Sequence, residues 1–227
     1  MLKDNWLVFE DINGLADQLA NDILDVAKTA IRSNNSFKIV LTGGNSILNT
    51  YKVLSNSESD WDKWHIYLGD ERCLPVKDKS RNDHIINQVW LNNSRILKKN
   101  IHFIDAELNA TDGAARYENI LNSVGYFDVT LLSMGEDGHA ASLFPGHLYD
   151  TNKSVVIESN SPKYPKERIS MSYSRLNHSK NIFKVISGSL KQRSLDLWLK
   201  GGEMPINKIS GINNKIYLCR DVLYRAK

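Results

Sequence analysis

Cysteine is scarce: Cys73 and Cys219 are the two in 227 residues, and they lie far apart. Without a Cys-x-x-Cys spacing, a disulfide framework and a cysteine-built zinc site are excluded, and a reducing, cytoplasmic setting is the default. Long hydrophobic runs are also missing, since no segment approaches the ~18 apolar residues of a membrane span. The first residues carry Asp4 and show no apolar stretch of ~7 to 15 residues before a cleavage site, so a secretory signal is not expected. Charge of one sign is in small excess: 29 Lys and Arg against 26 Asp and Glu leave +3, too mild for a nucleic-acid binder but suited to a local anionic ligand. Trp61, Trp64, Trp90 and Trp198 have no basic stripe between them, so they read as core or interface anchors, not a base-stacking platform. The dinucleotide fingerprint GxGxxG, a Walker loop and the GxSxG nucleophile elbow are all absent.

What is present is an ordinary folding composition, 41% hydrophobic and 24% charged, long enough for a core without staples. Residues 14–31 place Leu15, Leu19, Ile23, Val26, Ala27 and Ala30 at helical spacing, and residues 37–41 form a short strand-like run. Asn45 or Ser46 is expected to cap a helix with Ile47, Leu48, Tyr51 and Leu54 inward. Strands are predicted at 64–68, 101–104, 127–132, 154–158, 168–173, 182–186 and 215–218, and helices at 83–91, 112–121 and 190–199. This alternation predicts one α/β domain over residues 1–227, a Rossmann-like, mainly parallel sheet with helices on both faces. Ligands are expected beyond the carboxyl ends of its strands. Residues 159–167, with Pro162 and Pro165, read as a surface loop.

Three strand ends carry the chemistry. Thr42, Gly43 and Gly44 lie at a strand-to-helix turn, where backbone N–H groups can approach an anion. Asp70-Glu-Arg72 follows the 64–68 strand, and Arg72 can fork onto a phosphate or carboxylate while an acid holds it. Gly135-Glu-Asp-Gly-His139 is the most informative: His139 suits proton transfer near neutral pH, and Asp137 is close enough to orient its ring. No neighbouring cysteine or second histidine suggests a metal there. Arg168 and Lys191 stand at other strand ends and could complete an anion pocket with Arg72. Among the remaining histidines, His102 and His147 are set apart by loop positions.

Together these segments resemble the 6-phosphogluconolactonase family, within the fold group of glucosamine-6-phosphate deaminases and ribose-5-phosphate isomerases (NagB/RpiA/CoA transferase-like). The resemblance covers nearly the whole chain. It rests on residues 41–44, on 64–72 with Pro75, on 127–146, on 168–170 and on 187–191. Related deaminases carry Phe-Asn-Glu-Pro-Gly after Asp-Gly-His; here Ser142-Leu-Phe-Pro-Gly146 is the lactonase form. Departures fall at Asn45, Ser80 and Asn82, whose contact with substrate stays open, at Ala140, where Thr is frequent, and at the C-terminus, where the usual helix has little room after Asp221.

The resemblance implies hydrolysis of 6-phospho-D-glucono-1,5-lactone to 6-phosphogluconate in the oxidative pentose phosphate pathway, with neither metal nor organic cofactor. His139 would act as general base, oriented by Asp137. Thr42, Gly43, Gly44, Asp70, Arg72, Gly138, Arg168 and Lys191 would face the substrate. The oxyanion donor is either Arg72 or a backbone N–H among residues 135–138. A phosphorylated sugar lactone is the expected partner, with no nucleic acid or membrane, for a monomer or weak homodimer. An isomerase or deaminase on the same fold and a non-catalytic sugar-phosphate sensor are the alternatives.

Overall fold

The computed structural model describes residues 5–223. The strand β1 (Trp6–Phe9) leads into helix α1 (Ile12–Asn34), whose N-terminus is capped by Asp11 accepting from the N–H groups of Asn13 and Gly14. The helix buries Leu15, Leu19, Ile23, Ala27 and Ala30, and ends at Asn35 in the left-handed conformation. Then follow β2 (Phe37–Leu41), α2 (Leu48–Ser55), β3 (Trp64–Leu68), β4 (Asp70–Arg72), α3 (Asn82–Val89) and β5 (Ile101–His102). The second half runs α4 (Ala110–Asn122), β6 (Phe127–Ser133), β7 (Val155–Glu158), β8 (Arg168–Met171), α5 (Tyr173–Asn177), β9 (Ser179–Ile186), α6 (Gln192–Leu199), α7 (Pro205–Lys208) and β10 (Asn213–Cys219).

Seven strands form one parallel sheet in the order β1-β10-β9-β6-β2-β3-β5. The chain builds outward from β2 through β3 to β5, then returns to lay β6 on the other side of β2. That reversal is the point at which an open α/β sheet leaves a crevice at its carboxyl edge. The loops after β9, β6, β2 and β3 therefore emerge side by side.

Three strands depart from the expected single sheet. β4, β8 and β7 make a separate antiparallel sheet, so Asp70-Glu-Arg72 is a strand and not the loop its charges suggest. Gly69 joins the two sheets: its N–H donates to Leu41 O at 2.9 Å, and its carbonyl accepts from Met171 N at 2.8 Å. The register sets Arg72 directly opposite Arg168, and Arg168 opposite Glu158 on its other side. With side chains alternating along a strand, Asp70, Arg72, Ser170, Arg168 and Glu158 share one face.

The expected cap at Asn45 or Ser46 is not made. Residues 45–47 form a single tight 3-10 turn, and no side chain caps it or α2. Ser46 is drawn instead to the turn after β9. Trp61, Trp64 and Trp90 are core, packed edge-on or tilted against one another with centroids 4.6–5.9 Å apart. Trp198 is partly buried against Trp6. No helix among the described residues is long and apolar enough to cross a membrane.

Candidate active site

The crevice is a cleft of about 700 Å³ whose lining includes Thr42, Gly43, Gly44, Asp70, Arg72, His139, Arg168 and Lys191. Eight of the ten expected site residues thus meet from strand ends far apart in sequence. Asp137 and Gly138 are not in that lining; Asp137 is bonded to His139, which is.

His139 is held by its own turn. Its Nδ1 lies 2.5 Å from Asp137 Oδ1, and its N–H donates to the same oxygen at 3.1 Å. Burial disfavours the Asp137 charge, but the His139 hydrogen bond and charge, with backbone N–H donors, outweigh it and hold the carboxyl at about 2. The N–H of Gly135 donates to His139 O at 2.8 Å and that of Gly138 to Gly135 O at 3.0 Å, closing the turn. Gly135 must be glycine, because a Cβ there would come within 2.1 Å of the imidazole. Gly138 has φ +84° and packs on Met204, where a Cβ would sit 2.4 Å from the sulfur. Its place is in shaping the turn.

The small sheet forms the facing wall. Cations directly opposite each other on paired strands repel, and here Arg72 and Arg168 are such a pair. Arg168 is buried, donating through Nε to Pro165 O at 3.2 Å and through Nη2 to Lys163 O at 3.1 Å. Arg72 is anchored by Nη1 on the Ser80 carbonyl, while its Nε is buried with no partner among the described residues. Such an arrangement invites an anion. Asp70 favours the Arg168 charge from a distance but forms no ion pair with either arginine. Its Oδ2 accepts from Ser142 Oγ at 2.6 Å, and its backbone carbonyl accepts from Asn82 Nδ2 at 2.9 Å.

Asn45 and Asn82 line the cleft. Asn82 is fully packed and presses its Oδ1 onto Gly43, where a Cβ would stand 1.9 Å away. Gly43 is therefore required for close approach, and Gly44, at φ +96°, for the turn. Ser80 contributes a carbonyl to Arg72 instead of a cleft-lining side chain.

On the opposite side, the turn after β9 presents Lys191, whose Nζ donates to Ser46 Oγ at 2.9 Å. Asp221 fixes this turn by accepting from Gly188 N at 2.9 Å and Ser187 Oγ at 3.3 Å. Burial lowers the Lys191 ammonium to about 8, against the opposing pull of Asp221 and Glu136.

Sequence reasoning missed three neighbours of the site: Ser142, Asp221 and Lys163, which lines the cleft and pairs with Glu136 at 2.9 Å. The 159–167 loop and its cluster of cations were the signal for Lys163; the others depend on contacts between distant segments. His102 lies within the strand predicted over 101–104, stacked on Tyr67 at 4.6 Å, and His147 bonds Glu158 at 2.7 Å; neither is in the cleft lining.

Comparison with known proteins agrees with this layout. The family described as glucosamine-6-phosphate isomerases/6-phosphogluconolactonase matches residues 10–218. The chain is 31% identical to the chloroplastic 6-phosphogluconolactonase 3 of Arabidopsis thaliana, over 92% of this chain and 71% of that protein. It is 33% identical to 6-phosphogluconolactonase 3 of Saccharomyces cerevisiae, over 90% of each. The crystal structure of 6-phosphogluconolactonase from Thermotoga maritima superposes with a TM-score of 0.87 at 27% identity, covering 94% of this chain and 98% of that one. With the matched region spanning nearly the whole chain and the same parallel sheet beneath it, this protein belongs to the glucosamine-6-phosphate isomerase/6-phosphogluconolactonase family.

Proposed function

We propose that the protein hydrolyses 6-phospho-D-glucono-1,5-lactone to 6-phospho-D-gluconate, the lactone-opening step of the oxidative pentose phosphate pathway, with His139 as general base. The observation that carries this is the Asp137–His139 pair facing a cleft whose wall sets Arg72 and Arg168 side by side. The names of the relatives supply the substrate class.

With Nδ1 engaged by Asp137, Nε2 of the neutral imidazole is the nitrogen left to take a proton from water. The water oxygen bonds to C1 as the carbonyl electrons move onto oxygen. Collapse then breaks the C1–ring oxygen bond, and the imidazolium returns its proton to that oxygen. Gly135 and Gly138 spend their N–H groups inside the turn, so the donor to the developing oxyanion comes from Arg72 or from the Glu136–Asp137 backbone. Lys191, Arg168 and the Thr42–Gly44 turn hold the 6-phosphate, so that binding energy remote from C1 fixes the lactone against the base.

The test is acid release from freshly generated 6-phosphogluconolactone above its spontaneous opening. His139→Ala is expected to lose ~10²- to 10⁴-fold of the enzymatic rate while still binding 6-phosphogluconate. Full hydrolysis by that variant overturns the assignment, and ammonia release from glucosamine 6-phosphate by the wild type would place the activity with the deaminases.

A further inference from the structure

The turn that follows His139 is held from behind by side chains the proposed chemistry does not use. Tyr149 Oη accepts from Phe144 N at 2.9 Å and donates to Glu158 Oε2 at 2.6 Å. Glu158 is buried at the end of β7, where Oε1 accepts from Asn160 N at 2.6 Å and Oε2 lies 2.7 Å from His147 Nδ1. Burial opposes its charge, yet the Tyr149, Asn160 and His147 donors hold its carboxyl below the ordinary range, so an ionised acceptor anchors the cluster.

The residue fixed by this anchor is Phe144. Phe144 as a whole is 2% exposed. Its ring packs 4.6 Å from the His139 imidazole, tilted by 40°, and the Arg168 guanidinium lies 5.6 Å from its centre. Asp137 restrains one atom of the His139 ring and Gly135 crowds it from within the turn, which leaves a residual swing to be bounded elsewhere. A packed aromatic face removes the swing and sets the direction in which Nε2 points.

We infer that Tyr149 and Glu158 are positioning residues for His139, acting through the Phe144 ring. This rests on His139 being the base. A reacting geometry is unforgiving, since a displacement of about 1 Å can cost ~10²-fold in rate.

The experiment compares wild type, Tyr149→Phe, Phe144→Leu, His139→Ala and the double variant Tyr149→Phe/His139→Ala. For each, kcat and KM for 6-phosphogluconolactone are measured, with kcat expressed per 6-phosphogluconate-binding site so that unfolded protein is not counted. Tyr149→Phe and Phe144→Leu are each expected to lower kcat on the order of tenfold with KM within about twofold, and Tyr149→Phe to cost nothing further once His139 is gone. An unchanged kcat in Tyr149→Phe beside an inactive His139→Ala overturns this inference alone. So does an equal loss on both backgrounds, or a loss confined to KM. A fully active His139→Ala overturns the general-base reading and this inference with it.

Discussion

Lys191 and Ser46, 145 positions apart, meet through a 2.9 Å hydrogen bond from Nζ to Oγ that ties the turn after β9 to the turn after β2. Ser46 Oγ donates onward to the carbonyl of Ser187 at 3.4 Å, and Asp221 holds the neighbouring Gly188. The ammonium is thus fixed at the cleft wall before any ligand arrives, and burial brings its titration to about 8.

Anion affinity should therefore fall in alkali. As pH rises through about 8 the Lys191 ammonium loses its proton, and one positive charge leaves the wall. Calorimetric binding of 6-phosphogluconate is expected to be steady near neutrality and to weaken above that point. Lys191→Ala should bind more weakly near neutrality, lose the alkaline step and so approach the wild type above it, and should raise KM for the phosphorylated lactone far more than for unphosphorylated gluconolactone. An identical pH profile in wild type and variant would count against the assignment.

Asp137→Asn separates orientation from packing. The amide can present an N–H where the carboxylate accepts one, favouring the tautomer that blocks Nε2, so kcat should fall on the order of 10²-fold or more with KM little changed. Stability offers a second readout. The carboxyl sits at about 2 in the folded protein, against ~3.9 in an unfolded chain, so its stabilising contribution is complete above the unfolded value and disappears as pH falls through the folded one. Denaturant unfolding should show the gap between wild type and variant narrowing from about pH 4 towards pH 2.

Glu71 supports the facing wall from beneath. Fully buried, it accepts from the N–H groups of Arg72, Asn82 and Asp83 at 2.7, 2.9 and 2.8 Å, joining β4 to the first turn of α3. Glu71→Ala strands these donors in the interior, for a loss of about 1–3 kcal/mol. A lower urea midpoint with an unchanged slope would report it. Because Arg72 and Asn82 flank the cleft, KM should rise as well; a variant with normal midpoint and normal KM would refute the role.

Much of this is legible in the sequence because strand ends carry their own signal. The strands 37–41 and 64–68 have the limits their residues predict, since each is an apolar run that gives way to a glycine turn. The Asp137–His139 pair is visible because its partners lie two residues apart. Elements without a full period are not legible: β4 has three residues, α7 has four, and β1 is an edge strand paired on one side with β10. Cross-strand relations are hidden too. The opposition of Arg72 and Arg168 follows from strand register, and the burial of Glu71 from a helix that begins eleven positions later. In sequence, Asp70-Glu-Arg72 looks like solvated charge; in the fold its middle residue is interior.

Gly69 makes the cleft a seam between two sheets as well as a binding site, since it is hydrogen-bonded to both. A ligand reaching from Thr42 at the end of β2 to Arg168 on β8 bridges that seam. Its free energy of binding is then also free energy resisting separation of the small sheet, worth ~2.7 kcal/mol at a concentration a hundredfold above Kd. Occupancy should quieten local opening of β4, β7 and β8 most, and that of β1, at the far edge of the large sheet, least.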